Sequence, residues 1–288
     1  MKKVGIVSCD KWKNKIKEDL LLQKELIKHG IDAEIISWQN SKINYNEYNC
    51  LILRSVWGYQ DCYEKFKEWL LFVKAINLTL FNDVNIIMDN IRKDVQFEIL
   101  KKYSISYIPT TIIKESIDWN KLDFYGKKIV VKPIISGSGN NTYKFDLNEE
   151  VDEIIRKKYE IILQQSDNGL MIQPFVSGIN KGEYSCIFID GINTHNILRF
   201  PGVLGEKKRA EYLTTVPKSV LNLATQVSNI PEFSGYLYAR IDIVLENNRP
   251  YIMEVELTEP DLLIKYISDE EIQGQVLNKL VKKVERRI

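Results

Sequence analysis

The sequence predicts an α/β protein that begins with a doubly wound parallel sheet. Short apolar runs, typical of buried strands, alternate with segments whose apolar residues recur at helical spacing, and Gly30 ends the first such helix as a C-terminal cap. This alternation favours a parallel sheet with helices on both faces. No glycine-rich phosphate loop follows the first strand, so we do not expect a dinucleotide site there. The predicted strands are residues 4–7, 33–37 and 50–54, and the predicted helices are residues 15–29 and 63–75.

The rest of the chain is richer in strands. A helix is predicted over residues 91–102, and an amphipathic helix closes the chain over residues 271–284. We therefore expect an N-terminal α/β domain over residues 1–88 and a second domain over residues 89–288. The predicted strands of the second domain are residues 127–133, 170–176, 184–189, 194–200, 238–246 and 250–257.

The composition argues against several classes of function. The 288 residues include 40 Lys and Arg against 39 Asp and Glu, and the two signs are interspersed, so we expect no nucleic-acid partner. Four cysteines without paired spacing and two histidines argue against a zinc site and fit a reducing compartment. No apolar stretch approaches the roughly 18 residues that span a bilayer, and the N-terminal apolar run is too short for a signal peptide. The expectation is a cytoplasmic protein with no membrane partner.

The most informative segment is a pair of apolar runs near the C-terminal end, which flank a turn-like Asn-Asn-Arg sequence. This pattern predicts an antiparallel hairpin. A turn centred on Asn248 would place Asp242 opposite Glu254. In the same register, Arg240 would lie opposite Glu256, and the four side chains would share one face because side chains alternate along a strand. The opposite face would be apolar, with Ile241, Ile243, Val255 and Leu257.

The acidic face of this hairpin is a candidate metal site. Three carboxylates at close range repel one another and are costly to remove from water. Mg²⁺ resolves this conflict, because it takes oxygen ligands from a few carboxylates and from substrate phosphates. The predicted ligands are Asp242, Glu254 and Glu256. The alternative is the solvent-facing side of an edge hairpin, in which Glu and Arg form ordinary cross-strand ion pairs.

A candidate phosphate-binding segment lies in the middle of the chain. A buried strand ends in Lys132, and a loop of small residues follows it, beginning with Ser136, Gly137, Ser138 and Gly139. Backbone N–H groups and hydroxyls of such a loop can approach phosphate oxygens closely, and Lys132 would bring a positive charge to the same oxygens. The alternative is a flexible hairpin turn.

Nucleotide contacts are also expected downstream. Gln173, Pro174, Phe175 and Val176 end an apolar run that can line an adenine slot, with Gln173 directed at the exocyclic amine. The alternative is a strand of the core.

Three residues that follow this run are further candidates for the site, and each is interpreted by itself. Glu183 is expected to take ribose hydroxyls, and Arg199 is expected to reach the terminal phosphate. His195 is interpreted as a strand residue rather than a catalyst, with a minor substrate role left open.

Taken in order, these segments resemble the ATP-grasp superfamily, with a match over roughly residues 80–265. The resemblance implies an ATP-grasp fold, in which an N-terminal α/β domain precedes two α+β lobes that clasp ATP. The smaller lid lobe would span about residues 110–175, and the larger C-terminal lobe about residues 176–288. The motifs that carry the resemblance are Lys93 ahead of Ile108-Pro109-Thr110, Val-Val-Lys132-Pro, the Ser/Gly loop, Gln-Pro-Phe-Val, Gly-Glu-Tyr-Ser, Arg199, Arg240-Ile-Asp242 and Glu254-Val-Glu256.

The resemblance also implies roles for the matching residues. ATP would bind with two Mg²⁺ ions, for which Mn²⁺ is a substitute. Glu256 stands where the family more often has Asn, and its extra negative charge suits a cation ligand. By position, the phosphate ligands would be Lys93 and Lys132 with the Ser/Gly loop, the adenine contacts Gln173 to Val176, the ribose contact Glu183, the catalytic residue Arg240, and the metal ligands Asp242, Glu254 and Glu256.

Within the superfamily, the sequence is most similar to glutathione-synthetase-like ligases and to the cycloserine-pathway group. The similarity rests on Arg54-Ser55-Val56-Trp57, Gly-Glu-x-Ser and Glu-Val-Glu-Leu-Thr-Glu-Pro. Gly58 replaces the usual Asp, and residues 202–209 diverge, so the substrate of that group is not transferred. Because Arg54, Ser55 and Trp57 follow a strand of the parallel sheet, where ligands often bind, they are expected to touch a substrate. The alternative is a surface ion pair and a core Trp.

The expected function is a Mg-ATP-dependent carboxylate–amine ligase that works through an acyl phosphate and releases ADP and phosphate. Its expected partners are small-molecule carboxylate and amine substrates such as amino acids, small peptides or related metabolites. Related ligases are often dimers, so a homodimer is one expected assembly. Two alternatives stay open: an ATP-grasp kinase, and a nucleotide-binding protein without catalytic activity.

Overall fold

Three β-sheets form the framework of the protein in a computed structural model. The structure describes residues 2–122, 125–137, 139–165, 168–201 and 209–288. Within these residues, no helix combines the length and apolar character that a membrane crossing requires.

The N-terminal sheet is parallel, as the alternation of strands and helices predicts. Its strand order is β2-β1-β3-β4, and every neighbouring pair is parallel. The fourth strand was not predicted, because three residues are too few to show a period. The strands are β1 Lys3–Ser8, β2 Asp32–Ser37, β3 Cys50–Leu53 and β4 Thr79–Phe81, and the helices between them are α1 Lys17–Lys28 and α2 Tyr63–Ala75.

The helix predicted over residues 91–102 begins at Lys93 instead, and a shorter helix that was not predicted precedes it. Helix α3 spans Val84–Ile91 and helix α4 spans Lys93–Lys102. Arg92 between them is extended, with φ −88° and ψ 100°, which interrupts the helical hydrogen bonds. The break makes Lys93 the first residue of α4.

A second, antiparallel sheet has its own small core. Its order is β5-β8-β6-β7. Helix α5 covers it, and the buried Tyr159 of this helix donates a hydrogen bond of 2.7 Å from its hydroxyl to the Val131 carbonyl. The elements are β5 Thr111–Ile113, β6 Lys128–Pro133, β7 Tyr143–Asp146, α5 Glu153–Leu163 and β8 Leu170–Pro174.

The third sheet is antiparallel and lies between two helical layers. Its order is β11-β10-β9-β12-β13. Helix α6 packs on one face, and α7 packs on the other together with α1. The elements are β9 Glu183–Ile189, β10 Ile192–Arg199, β11 Ala210–Leu213, α6 Lys218–Ser228, β12 Tyr238–Glu246, β13 Arg249–Glu256 and α7 Glu270–Glu285.

The hairpin of β12 and β13 turns at Asn247 and Asn248. Their φ angles of 52° and 61° lie in the left-handed region that type I′ hairpin turns require. Because Glu246 pairs with Arg249, the turn is a two-residue turn and is not centred on Asn248 as predicted.

A β-bulge nevertheless produces the predicted pairs. The register shifts between Asp242 and Ile243, where Met253 is the extra residue of β13. Beyond the bulge, Asp242 pairs with Glu254, and Arg240 pairs with Glu256. Without the extra residue, every side chain of β13 beyond this point would turn to the opposite face, because the side-chain period of a strand is two.

Candidate active site

The hairpin gathers its charged residues on one face, and Asp242 lies at the centre of the cluster. Its side chain is only 1% exposed. Two neighbours donate hydrogen bonds to its carboxylate, the Ser185 hydroxyl at 2.7 Å and Arg240 Nε at 3.1 Å, and Arg199 Nη2 forms an ion pair with it at 2.7 Å. These donors compensate the cost of burying the negative charge.

Glu254 lies next to the two lysines that were predicted from the sequence. Lys93 Nζ is 3.1 Å from Glu254 Oε1 and also donates to the Ser136 carbonyl at 2.5 Å. Burial raises the pKa of Glu254, but Lys93, Lys132 and Arg240 outweigh it, so that the pKa falls to about 2. Burial lowers the pKa of Lys132; Lys93 adds to this effect, and Glu254 and Glu183 oppose it.

Negative charge is less well compensated at the C-terminal end of β13. Glu256 Oε1 accepts hydrogen bonds from the backbone N–H groups of Thr258 and Glu259. Burial and then the neighbouring Glu254 raise the pKa of Glu256. Burial and then Glu256 raise the pKa of Glu259 well above its ordinary value. Glu259 was quoted in a sequence motif but was not predicted as a site residue.

The donor set of this acidic cluster fits a hard divalent cation by its chemistry. Carboxylate oxygens are the ligands that Mg²⁺ prefers, and the repulsion between Glu256 and Glu259 is the conflict that a cation relieves. In the geometry seen here, however, the described residues include no group of three or more His, Cys, Asp and Glu that could hold a metal ion. The carboxylates of Asp242 and Glu254 face Arg199, Arg240 and Lys93 instead. The metal role of Asp242, Glu254 and Glu256 stays a prediction, since an ion would have to displace these basic partners.

The Ser/Gly loop contacts the N-terminal part of the chain. The Ser136 hydroxyl donates to the Pro133 carbonyl at 2.9 Å, and Gly137 lies against the side-chain amide of Gln60. Gly139 has a φ of 75°, in the left-handed region that favours glycine. Ser138 lies outside the described residues. The loop therefore begins next to Lys93, as the predicted phosphate site requires.

The predicted adenine segment forms the end of β8 and the connection to β9. Gln173 is buried, and its Nε2 donates to the Thr110 hydroxyl at 2.8 Å, so this donor already has a partner. Phe175 N–H donates to the Lys128 carbonyl, and the Phe175 ring lies 3.6 Å from Lys144 Nζ. The adenine contacts predicted for Gln173, Pro174, Phe175 and Val176 stay predictions.

Glu183 and Arg199 are in direct contact across β9 and β10. Arg199 Nη2 lies 2.6 Å from Glu183 Oε2, and Arg199 Nε donates to Ser185 at 2.6 Å. Burial raises the pKa of Glu183 to about 7, although the Arg199 guanidinium opposes this shift. Because Arg199 also binds Asp242, it connects the predicted ribose contact to the acidic cluster.

Arg54 and Ser55 are placed differently from what the sequence suggested. Arg54 is 4% exposed and donates to Glu18 Oε2 and to the Pro260 carbonyl, both at 3.1 Å. The buried Ser55 hydroxyl donates to Asp19. The ion pair is therefore inside the protein and not at its surface. The substrate contacts expected for Arg54 and Ser55 stay predictions.

Trp57, by contrast, lines a cavity of about 680 Å³ beside the acidic cluster. Its Nε1 donates to the Glu259 carbonyl at 3.3 Å, and its ring meets Trp12 edge-on with the centroids 6.0 Å apart. The walls combine aromatic rings with both signs of charge, which suits a small polar molecule. Other lining residues are Lys15, Lys17, Glu18, Glu183, Arg199, Arg209, Arg240, Glu256, Glu259, Asp261, Lys265 and Tyr266.

His195 is a buried residue of β10 and not a member of the site. Its Nε2 donates to the Leu262 carbonyl at 2.7 Å, and its Nδ1 accepts from the Thr194 hydroxyl at 2.9 Å. With Nε2 as the donor, a neutral ring leaves Nδ1 free to accept from the Thr194 hydroxyl. Burial lowers the pKa of His195 to about 4, with the Leu262 bond opposing.

A pH dependence of stability follows from this neutral His195. Between pH 6.5 and pH 4 the unfolded chain binds a proton at this residue and the folded chain does not, so stability falls as the pH falls through this window. Over the whole window, the free energy of unfolding falls by about 3 kcal/mol for this one group. We expect chemical denaturation at several pH values to show a smaller loss for His195→Gln than for the wild type. Parallel stability curves for the two proteins would contradict the assignment.

Comparisons with known proteins agree with this architecture. The family model described as the N-terminal domain of D-cycloserine synthetase DcsG matches residues 4–82, and the model of the prokaryotic glutathione synthetase ATP-grasp domain matches residues 99–270. The second match covers more than half of the chain. The chain therefore belongs to the ATP-grasp ligases, which are ATP-dependent enzymes that form C–N bonds and use ATP with divalent metal ions.

Individual relatives are distant in sequence but similar over most of their length. The cycloserine biosynthesis protein DcsG of Streptomyces lavendulae is 21% identical over 266 residues, which cover 83% of this chain and 85% of DcsG. The crystal structure of D-cycloserine synthetase DcsG superposes with a TM-score of 0.82 at 16% identity, covering 99% of this chain and 100% of the other. D-alanine–D-alanine ligase from Bacillus anthracis complexed with ATP gives a TM-score of 0.70 at 17% identity, with 100% of this chain and 99% of the other covered.

Proposed function

We propose that this ligase activates a substrate carboxylate as an acyl phosphate and joins it to an amine or similar nucleophile, with release of ADP and phosphate. The observation that carries the proposal is the convergence of three elements. Lys93 at the start of α4 and Lys132 on β6 approach the acid-bearing face of the β12–β13 hairpin, where Lys93 contacts Glu254 directly. Paired lysines next to clustered carboxylates suit a triphosphate with its cations.

In this proposal ATP lies between the second and third sheets. Lys93, Lys132 and the loop that begins at Ser136 bind its phosphates, the end of β8 meets adenine, and Glu183 binds the ribose. Asp242, Glu254 and Glu256 hold two divalent cations, Mg²⁺ or Mn²⁺. Such ions neutralise the charge of the phosphates and orient them.

The chain's own residues then act on the reacting groups. Arg199, which already lies between Glu183 and Asp242, is directed to the terminal phosphate. Arg240 lines the cavity, and its pKa lies above its ordinary value because Asp242, Glu256 and Glu254 outweigh the effect of burial. It therefore stays positive and stabilises the oxyanion that forms when the nucleophile attacks the acyl phosphate. The Ser/Gly loop excludes water, which would hydrolyse that intermediate.

We propose that the substrates are small molecules such as amino acids, small peptides or related metabolites, bound in the cavity beside Trp57. A cavity of about 680 Å³ lies in the usual range for small-molecule sites. The names of two relatives refer to cycloserine biosynthesis and to D-alanine, which supports this class of molecule.

The proposed organisation keeps the divisions expected from the sequence. An N-terminal domain spans residues 1–88, and the ATP-grasp domain spans residues 89–288, with its lid lobe at about 110–175. A homodimer in the cytoplasm is the proposed state, and the four free cysteines fit a reducing compartment.

A product analysis tests the proposal. The protein is incubated with ATP, Mg²⁺ and pairs of amino acids or small acids, and phosphate release is screened first. We expect active pairs to yield ADP, free phosphate and a joined product in equal amounts. A kinase would instead leave the phosphoryl group on the substrate, and mass spectrometry of the product distinguishes the two outcomes. A phosphorylated substrate without a joined product would contradict the ligase proposal.

A further inference from the structure

Beyond Ile252, the outer edge of β13 is closed by side-chain amides instead of a further strand. β13 is the last strand of its sheet, and at Ile252 its outer edge pairs with residues 106–108, where the Ile252 N–H donates to the Ser106 carbonyl at 3.0 Å and the Ile252 carbonyl accepts from the Ile108 N–H at 3.2 Å. Gln96 of α4 donates from Nε2 to the Val255 carbonyl at 2.6 Å, and its Oε1 accepts from the Val255 N–H at 2.9 Å. One carboxamide thus supplies both hydrogen bonds that a neighbouring strand would make to this residue.

Asn90 of α3 extends these side-chain amide contacts along the strand from Val255 to Leu257. Its Nδ2 donates to the Val255 carbonyl at 2.7 Å, and its Oδ1 accepts from the Leu257 N–H at 2.8 Å and from the Thr258 hydroxyl at 3.1 Å. Asn90 and Gln96 are both almost fully buried. Both buried side-chain amides form these hydrogen bonds to the strand. They hold its backbone firmly, because any shift of the strand would leave polar groups without hydrogen-bond partners.

The bonded residues alternate with the acidic ones. Val255 separates Glu254 from Glu256, and Leu257 follows, so that fixing the backbone of Val255 and Leu257 fixes the direction of both carboxylates. The bulge at Met253 makes a fixed backbone necessary. If β13 slipped by one residue relative to β12, the extra residue would be lost and the acidic side chains would turn to the apolar face.

The same helices also carry Lys93. It begins α4, three residues before Gln96, and contacts Glu254 at 3.1 Å. The amide contacts therefore set the distance between Lys93, a proposed phosphate ligand on α4, and Glu254, a proposed metal ligand on β13.

We propose that Asn90 and Gln96 are positioning residues of the active site, which hold β13 in the register that directs Glu254 and Glu256 at the cations. The inference rests on the proposed function of these two acids. Neither amide touches the nucleotide or the substrate. They hold the backbone of β13 in place, and the position of β13 in turn determines the affinity for metal ions.

The test is Mn²⁺ binding, measured without turnover by electron paramagnetic resonance in the presence of a non-hydrolysable ATP analogue. We expect Gln96→Met, which keeps the length of the side chain and removes both hydrogen bonds, to weaken Mn²⁺ binding by about tenfold or more, as loss of a group that orients a metal ligand does. Nucleotide affinity without metal should change little. Asn90→Ala removes the Asn90 carboxamide without adding a charge and leaves both Gln96 hydrogen bonds in place, and it provides a second variant if Gln96→Met does not fold.

A matched control separates positioning from general stability. Leu26 is buried in α1, and Leu26→Ala should lower the melting temperature without changing Mn²⁺ affinity. Wild-type affinity in both amide variants, or an equal loss in Leu26→Ala, would overturn the inference and leave the proposed function intact. If the wild-type chain itself bound no Mn²⁺ with nucleotide, the proposed function and this inference would fail together.

Discussion

Replacement of Glu254 by Gln should lower ATP-dependent ligation by at least about a hundredfold, since loss of a group that only orients a metal ligand already costs 10- to 100-fold. Glu254 is the carboxylate that Lys93, Lys132 and Arg240 keep ionised, with a pKa of about 2. Gln keeps the size and one oxygen but removes the charge that a cation requires. Steady-state assays of ADP and product formation over a range of Mg²⁺ concentrations measure the effect.

The appropriate control is Glu68→Gln, because this side chain is exposed on the outer face of α2. It removes the same charge and should leave activity and Mg²⁺ dependence unchanged. Near-wild-type turnover of Glu254→Gln would exclude Glu254 as a metal ligand.

Arg240→Ala should reduce kcat by about 10²- to 10³-fold, the usual cost of removing one donor to a developing oxyanion. We expect ATP affinity to change only a few-fold. Asp242 keeps the ion pair with Arg199 and the hydrogen bond from Ser185 when Arg240 is removed, so the acidic cluster stays in place. Calorimetric ATP binding together with kcat separates the two effects.

Two further variants define the role of Arg240. Arg240→Lys retains the charge and should recover part of the rate, whereas Arg249→Ala, at the exposed end of the same hairpin, should behave as the wild type. If Arg240→Ala lost ATP binding to the same degree as activity, Arg240 would be a nucleotide ligand and not the residue that stabilises the intermediate.

The sequence predicted the hairpin well because its signal is local and periodic. Alternating apolar residues on both strands fixed the faces, and the pairs Asp242–Glu254 and Arg240–Glu256 are confirmed. The bulge at Met253 was not predictable, since a Met in an apolar strand shows no sign of being an extra residue. The predicted turn was one position off, and the bulge compensated for this error.

Elements of three or four residues were missed for a different reason. Strands β4, β5, β7 and β11 are too short to show an alternation, and their positions depend on pairing with longer neighbours. Helix α3, over Val84–Ile91, was not predicted, and the helix that follows it begins two residues later than predicted.

Long-range polar contacts were beyond the reach of sequence patterns. Arg54 binds Glu18, 36 residues away, and Gln96 binds Val255, 159 residues away. In the sequence, Arg54 appears as a charged residue at a strand end, which fits a ligand contact as well as a surface ion pair. Only the fold shows that its ion pair with Glu18 is buried.

The most direct test of the central claim is a crystal structure with an ATP analogue and Mn²⁺, in which anomalous scattering locates the ions. We expect ions between the phosphates and the oxygens of Asp242, Glu254 and Glu256, with Lys93 moved from Glu254 to a phosphate. Ions bound elsewhere, with Lys93 still on Glu254 and Arg199 and Arg240 still on Asp242, would contradict that claim.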